Sequence, residues 1–449
     1  MTRTVLLFAL AASLALTACG ADDAESSPTA SASSRPTADA PAATASDSPQ
    51  ATGQAAPDGV EGLAPVDVTI AEGTDAPRAE GRSLQVPAGW EAEAWAAVPG
   101  ARLAAWTPDG ALLVSTGDRG EVVALRPTTD GRAPSATTIL DGLDNPQGLA
   151  FADQATLIVG ESTTIAAYDY SDGTATGRRV VADGLPAGGH ASKAVVVDGD
   201  RVVFSLGSAS NRDPADREST PERAVVASVP VAGGDHEVIA RGVRNGFGLA
   251  LAPDGTVWTA VNQADNQPYP FDDDTGLYGT EDRGYINENP VEQVTRVEEG
   301  GDLGWPYCVP DARDGNLDLP FVNDPALNPD GAALDCAALT PTAVGLPSHS
   351  APLGLTFTHD AGATELGDGA VVTMHGSWNR EPPREPGIAF LPWDADEATL
   401  GEPVALVSGF QDADGSRWGR VVATAIGPGG DLYVTDDEAG LVYRIGPAN

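Results

Sequence analysis

His190 sits in the stretch "LPAGGHASKAVVV", one of five histidines in 449 residues, three positions before the single lysine, Lys193. An imidazole titrates near neutral pH, so a loop of small residues that delivers one can aim a base at a substrate hydroxyl. The same residue also serves as an ordinary member of a turn. Further on, "ARGVRNGFGLALAPDG" places Arg244-Asn245 between glycines, and "WGRVVATAIGPGGDLYVTDD" places Arg420 just before an apolar run. Forked guanidinium donors grip carboxylates and stabilise developing negative charge. Three more phrases stand beside them: "GGDLGWPYC" from Gly300, "HSAPLGLTF" from His349 and "MHGSWNREPP" from Met374. Each has a structural reading: a hydrogen-bonded loop histidine, a capped Gly-rich turn, a packed Trp-Pro corner. What joins them is position, because all lie beside the start or end of an apolar strand.

The elements that position them repeat. A turn with Asp or Gly, a short apolar strand and another turn recur from Pro108, Asp153, Asp198, Pro253, Leu366 and Gly427. Strands bounded by Asp-Gly turns form hairpins, and a phrase that returns at intervals of this kind is the pattern of β-propeller blades, each of four strands. Six phrases predict an all-β, six-bladed propeller, with five or seven blades as alternatives. The interval from Pro253 to Leu366 is about double, so a blade is hidden there or a long insertion replaces it. Long loops on one face are where a propeller builds a site.

The ends and the composition set the context. "MTRTVLLFALAASLALTACG" has a basic residue, an apolar stretch too short to span a bilayer and small residues before Cys19. Residues 1–18 thus read as a signal peptide of the bacterial lipoprotein kind, with Cys19 the lipidated N-terminus; the alternative is an ordinary signal with a chance cysteine. Residues 19–84, rich in Ala, Ser, Thr and Pro, read as a disordered stalk, which leaves 85–449 as the folded body. The chain is therefore expected outside the cytoplasm, anchored by lipid to the outer face of the cell membrane. A formal net charge of −40 excludes nucleic acid and anionic lipid surfaces as partners. With Cys19 lipidated, Cys308 and Cys336 remain as a disulfide pair in an oxidising compartment; they lack the clustered spacing of a metal site.

In their order, the phrases "GGHASK", "GVRNGFGLALAPDG", "GGDLGWPYC", "HSAPLGLTF", "HGSWNR" and "GRVVATAIGPGGDLYVTDD" resemble the glucose/sorbosone dehydrogenase family, closest to its sorbosone and pyranose dehydrogenase branch. The resemblance spans about 85 to 446 and implies a propeller that uses pyrroloquinoline quinone (PQQ) and calcium to oxidise an aldose or related sugar, passing electrons to an acceptor the sequence does not name. It further implies His190 as general base, Arg244 against cofactor and reacting oxygen with Asn245 beside it, and Arg420 and Arg380 on PQQ carboxylates. Calcium would be held partly by backbone carbonyls of the loop Asn262–Asn266, at Gln263, Ala264 and Asp265, where oxygen ligands suit a hard cation. The Asp272-Asp273-Asp274 run that follows reads as solvated surface.

Several positions depart from the family. Ala191 stands where a second histidine is frequent, and the calcium loop reads "NQAD" where the sorbosone branch commonly has Asn-Glu-Arg-Asp. Val422 replaces a second arginine of the soluble glucose branch, and no lysine lies near Met374 to Gly376. Two other functions fit a propeller: a non-catalytic module binding sugar or a protein, and a calcium-dependent lactonase-type hydrolase.

Overall fold

The turns do what their composition dictates. Gly110, Gly255 and Gly430 hold φ of +80°, +81° and +88°, a backbone conformation natural only to a residue without Cβ. The apolar run after each turn folds back on the strand before it. Ala104–Trp106 pairs with Leu112–Thr116, Gly248–Leu251 with Val257–Val261, and Val421–Ile426 with Leu432–Asp436, all antiparallel. The computed structural model describes residues 62–129, 131–359 and 365–448, so the signal peptide, Cys19 and most of the expected stalk lie outside the described residues.

The architecture is all-β, a six-bladed propeller. The first strand of each blade is innermost: Ala104–Trp106, Leu149–Asp153, Val195–Asp198, Gly248–Leu251, Pro352–Phe357 and Val421–Ile426. These strands line a central channel of about 440 Å³. Small residues let them crowd the axis. A Cβ on Gly354 would lie 2.8 Å from the Ala423 Cα, and one on Gly248 would lie 3.0 Å from the Leu355 Cβ. The core lies between the blades as well as within them. Ile158 and Ile165 of blade two share a buried cluster with Val202 and Phe204 of blade three, as Leu112 of blade one does with Tyr433 and Val442 of blade six. Burying side chains of this size stabilises the fold by about 1.5–3 kcal/mol each.

The sixth blade is closed by the other end of the chain. Trp90–Ala97 pairs antiparallel with Leu441–Pro447 as its outermost regular strand. Before it, Leu63–Asp67 pairs with Ser83–Pro87, and Thr69–Ile70 lies parallel beside Trp90–Ala97. The boundary of the folded body expected at 85 is thus corrected to about 63. Composition concealed this because the packing uses short side chains. Val68, Ala76 and Ala79 are buried against the cluster of Trp90, Phe410 and Trp418, and Arg82 pairs with Asp412 at 2.7 Å.

The doubled interval is an insertion and not a seventh blade. Blade four leaves Val257–Val261 on a long loop carrying the helix Arg283–Glu288, returns as Glu292–Arg296, and departs again before Thr342–Leu346. The second excursion holds the hairpin Cys308–Pro310 and Phe321–Asn323, and the Cys308–Cys336 disulfide ties it with a Cα–Cα distance of 5.6 Å.

Candidate functional site

Inner strands in register put their leading residues in register too. Two positions before the six inner strands stand Arg102, Gln147, Lys193, Gly246, Ser350 and Gly419, and polar contacts link these leader segments around one mouth of the channel. Arg102 Nε donates to Gln147 Oε1 at 3.0 Å, and the N–H of Gly148 donates to the Lys193 carbonyl at 2.8 Å. Lys193 holds the loop of His190, which contacts Ser208, and the Ser208 N–H donates to the Arg244 carbonyl. Arg244 meets Asp265, Asp265 meets His349, and the Ala351 carbonyl receives the His375 N–H. Arg420 Nε donates to the His375 carbonyl, and Asp437, in the same blade as Arg420, pairs with Arg102 at 2.6 Å. The chain of contacts closes on itself.

His190 is held neutral in one tautomer. The Ser208 hydroxyl donates its one proton to the Ser210 carbonyl at 2.7 Å, so it can only accept from His190 Nδ1–H, 2.9 Å away. That assignment leaves the lone pair on Nε2. Burial first, then the Arg244 and Arg223 guanidiniums, hold the imidazole down to about 3, so it stays neutral at any physiological pH. Its loop is caged by two buried cations. Arg223 donates to the carbonyls of Ala187 at 2.9 Å, Gly188 at 2.6 Å and Gly207 at 3.0 Å, while Lys193 donates to Pro186 at 3.4 Å and to Ala191. The two glycines before His190 are required. Gly189 has φ +56°, and a Cβ there would meet the Ala209 Cα at 2.5 Å. Lys193 is 1 % exposed, and burial, then Arg223, brings its amine down to about 7.

Arg244 is fixed on all three nitrogens. Nε donates to the Asn211 carbonyl at 3.2 Å, Nη1 to the Asn262 carbonyl at 3.1 Å and Nη2 to Asn211 Oδ1 at 3.0 Å, with Asp265 at 3.6 Å. Asn245 follows it, half-buried, its carbonyl receiving the Asn262 N–H at 3.0 Å. Asp265 also faces His349 Nδ1 at 3.4 Å, and His349 Nε2–H donates to the Ile286 carbonyl at 2.6 Å. Burial disfavours the charged imidazole, yet the Asp265 carboxylate and the Ile286 carbonyl outweigh it and raise the pKa. Behind them Glu292 is fully buried. It accepts N–H bonds from Gln263 at 2.6 Å and Ala351 at 3.3 Å, and burial pushes it up to about 7.

The third cluster is cationic. His375 Nδ1–H donates to the Val421 carbonyl at 3.0 Å, and burial, then Arg420 and Arg102, keep the ring neutral. Arg420 anchors its Nε, while among the described residues no carboxylate comes within ion-pair distance of it. Arg417 is likewise without an ion-pair partner there. The Ser350 hydroxyl, in the leader of blade five, is buried without a hydrogen-bond partner.

Two expected assignments change. Arg380 is not available to a cofactor carboxylate: its arms go to Glu288 at 2.6 Å, the Asn287 carbonyl at 3.1 Å and the Pro382 carbonyl at 2.6 Å. The helix Arg283–Glu288, inserted in blade four, supplies two of those acceptors and captures it. Asp265 is also no free metal ligand, because Arg244 and His349 hold its carboxylate. Gln263 directs its amide to Gln293, and Ala264 packs with Ala224 and Trp305. The carbonyls of Gln263 and Ala264 nonetheless receive no hydrogen bond from the described residues, whereas those of Asn262 and Asp265 do. No three His, Cys, Asp or Glu side chains gather to hold a metal among the described residues.

Arg102, Gln147 and the Arg223 cage escape a motif reading, while His375 and Asp437 stand inside the phrases from Met374 and Trp418, whose arginines drew the assignments. The register signal was present for the first two, since each stands as far before its inner strand as Lys193 stands before Val195.

The profile of the family described as TrAA12-like matches residues 84–448. The chain belongs to the TrAA12-like family. This TrAA12-like chain is 24 % identical over 365 residues to a pyrroloquinoline quinone-dependent pyranose dehydrogenase of Coprinopsis cinerea, covering 70 % of this chain and 48 % of that protein. It spans about half the length of the curated relatives it matches. Its fold is shared with the holo PQQ domain of the Coprinopsis cinerea enzyme, at TM-score 0.70 and 22 % identity over 84 % of this chain and 100 % of that one. It is shared too with a calcium structure of the Trichoderma reesei AA12 enzyme, at TM-score 0.69 and 19 % identity over 85 % and 100 %. The resemblance carried by the six motifs is to the same group of sugar dehydrogenase propellers.

Proposed function

We propose that this TrAA12-like propeller is a PQQ- and calcium-dependent dehydrogenase that oxidises an aldose or related pyranose. The observation that carries the reading is the meeting, at one mouth, of a neutral His190 whose Nε2 lone pair is open and a set of guanidiniums led by the unpaired Arg420. The residues fit a tricarboxylate quinone. Arg420 has no ion-pair partner among the described residues, Arg102 and Gln147 stand beside it, and the orphaned Ser350 hydroxyl lies in the same ring of leaders. The carbonyls of Gln263 and Ala264 would hold calcium, which takes oxygen ligands. When bound, PQQ supplies the acceptor for the two electrons and the hydrogen of the carbinol carbon.

This chain's own part is proton handling and orientation. His190 Nε2 takes the hydroxyl proton, and Ser208 keeps the ring in the tautomer that can do so. Arg244, rigid on three acceptors, presents fixed positive charge beside that oxygen and stabilises the negative charge that grows there. Arg223 and Lys193 hold the loop so that the imidazole does not reorient between turnovers. We further propose that the chain is exported, anchored through Cys19 and served by an electron acceptor outside the cytoplasm. The signal-like first 20 residues and the paired Cys308 and Cys336 support that placement.

The test is reconstitution. The folded chain is titrated with PQQ and calcium, and reduction of a dye acceptor is followed with glucose and other aldoses. Saturable binding with sugar-dependent dye reduction is expected, and a chain that binds no PQQ at micromolar concentration overturns the reading.

A further inference from the structure

Among the described residues Trp378 is the most exposed large apolar side chain, at 75 %, in a body whose other tryptophans are packed or half-buried. An indole on a slack loop would fold onto the surface. This one is held out by a fixed backbone. Ser377, just before it, donates its N–H to the Arg384 carbonyl at 3.1 Å, accepts the Arg384 N–H on its hydroxyl at 2.7 Å and has its carbonyl bound by Arg417. Asn379, just after it, donates to Asn266 Oδ1 at 3.0 Å and accepts from Arg283 at 3.3 Å. The turn is tight: Gly376 has φ +83°, and a Cβ there would meet the Arg384 carbonyl at 2.9 Å.

Trp378 borders a groove of about 430 Å³ with Pro383, Arg417, Arg420 and Glu438. That volume is within the range of about 300–1,000 Å³ of small-molecule sites. Arg420 belongs both to this groove and to the mouth, so the groove leads out from the candidate site. Its chemistry is mixed in a particular way. The indole and Pro383 offer flat apolar faces, while Arg417, bonded through Nε and Nη2, offers Nη1, and Glu438, paired with Arg78 through Oε1 at 2.6 Å, offers its second oxygen at the edge. A pyranose ring has the matching surface, with an apolar C–H face for stacking and equatorial hydroxyls for charged partners.

We propose that Trp378, Pro383, Arg417 and Glu438 form a second sugar subsite, which takes the pyranose adjacent to the one oxidised in a disaccharide or longer reducing oligosaccharide. The inference rests on the proposed sugar oxidation at the mouth. It makes the enzyme one that works on the reducing ends of short glycans as well as on free monosaccharides.

The experiment compares the folded chain with its Trp378→Ala and Trp378→Phe variants, using glucose, maltose and cellobiose as probes. Calorimetric binding is measured without cofactor, and kcat/KM is measured after PQQ and calcium are added. Trp378→Ala is expected to lower kcat/KM and affinity for at least one disaccharide about tenfold, the size of one good stacking contact, with glucose unchanged. Trp378→Phe is expected to keep most of both. Equal losses on glucose and disaccharides, or no loss on any, overturn the subsite. So does a loss that appears only with a protein electron acceptor, which would assign the indole to acceptor docking. Glucose turnover with no Trp378 dependence of disaccharide use sinks the subsite alone. Trp378-dependent disaccharide binding without any sugar turnover sinks the dehydrogenase and leaves the sugar site standing.

Discussion

Two histidines face the same mouth from different blades, and they divide the work. His190, leading into blade three, and His375, leaving the second strand of blade five, each donate Nδ1–H to an oxygen, and each is kept neutral by burial and nearby arginines. Their surroundings differ. Around His190 the arginines are satisfied: Arg244 is bonded on three nitrogens and Arg223 on four carbonyls. Around His375 the cation Arg420 is anchored at one nitrogen and lacks a carboxylate partner among the described residues. A saturated cation orients and polarises; one with open donors binds an anion. The first region suits a proton transfer and the second an anionic ligand.

The sharpest break in that comparison is His190→Ala. Loss of the base should reduce kcat about 10²- to 10⁴-fold while PQQ titration is unchanged, as read by stopped-flow reduction and by absorbance titration. Loss of PQQ binding with retained turnover per bound cofactor would reverse the assignment. Next in size, Arg420→Ala should weaken PQQ about 10- to 100-fold, as for a charge-assisted bond worth about 1.5–3 kcal/mol, and leave kcat at saturating PQQ close to normal.

Arg223→Met sharpens the comparison from the side of the cage. With that cation gone, the His190 pKa rises from about 3, and the acid limb of kcat/KM moves to higher pH. Loop disorder alone would lower kcat/KM evenly at every pH. The smallest effect concerns stability. Glu292 holds its proton more tightly in the fold than in the unfolded chain, so its contribution is intact below about pH 4.5 and is lost as pH rises through about 7. His190 has the opposite sign: its contribution is present above about pH 6.5 and is lost as pH falls towards about 3. Glu292→Gln should therefore flatten the decline of melting temperature between about pH 4.5 and 7, by a few degrees in a scan series.

The blades were legible because Asp-Gly turns and apolar runs are local, and local signals repeat. His190, Arg244 and Arg420 could be picked out because glycines mark the loops that carry them. Arg102 was hidden by the brevity of its strand. Ala104–Trp106 is three residues long, so only the register of all six inner strands reveals its leader. Arg380 misled for a different reason. Adjacency in "HGSWNR" places its backbone near the mouth, but its rotamer was decided by Glu288, 92 residues away in sequence. Residues 63–82 were taken for stalk because alanine and valine are common to both linkers and edges. Whether they pack depends on Trp90 and Phe410 being there to receive them.

The seam in the sixth blade has a consequence for timing. Trp90–Ala97 and Leu441–Pro447 lie side by side, and the Arg102–Asp437 pair bridges the first and last blades. The ring of leader residues therefore cannot close while the polypeptide is still being synthesised. An unfinished product lacks the Arg102–Asp437 bridge, and its ring stays open. A ligand that spans that ring can be gripped in full only by the finished chain.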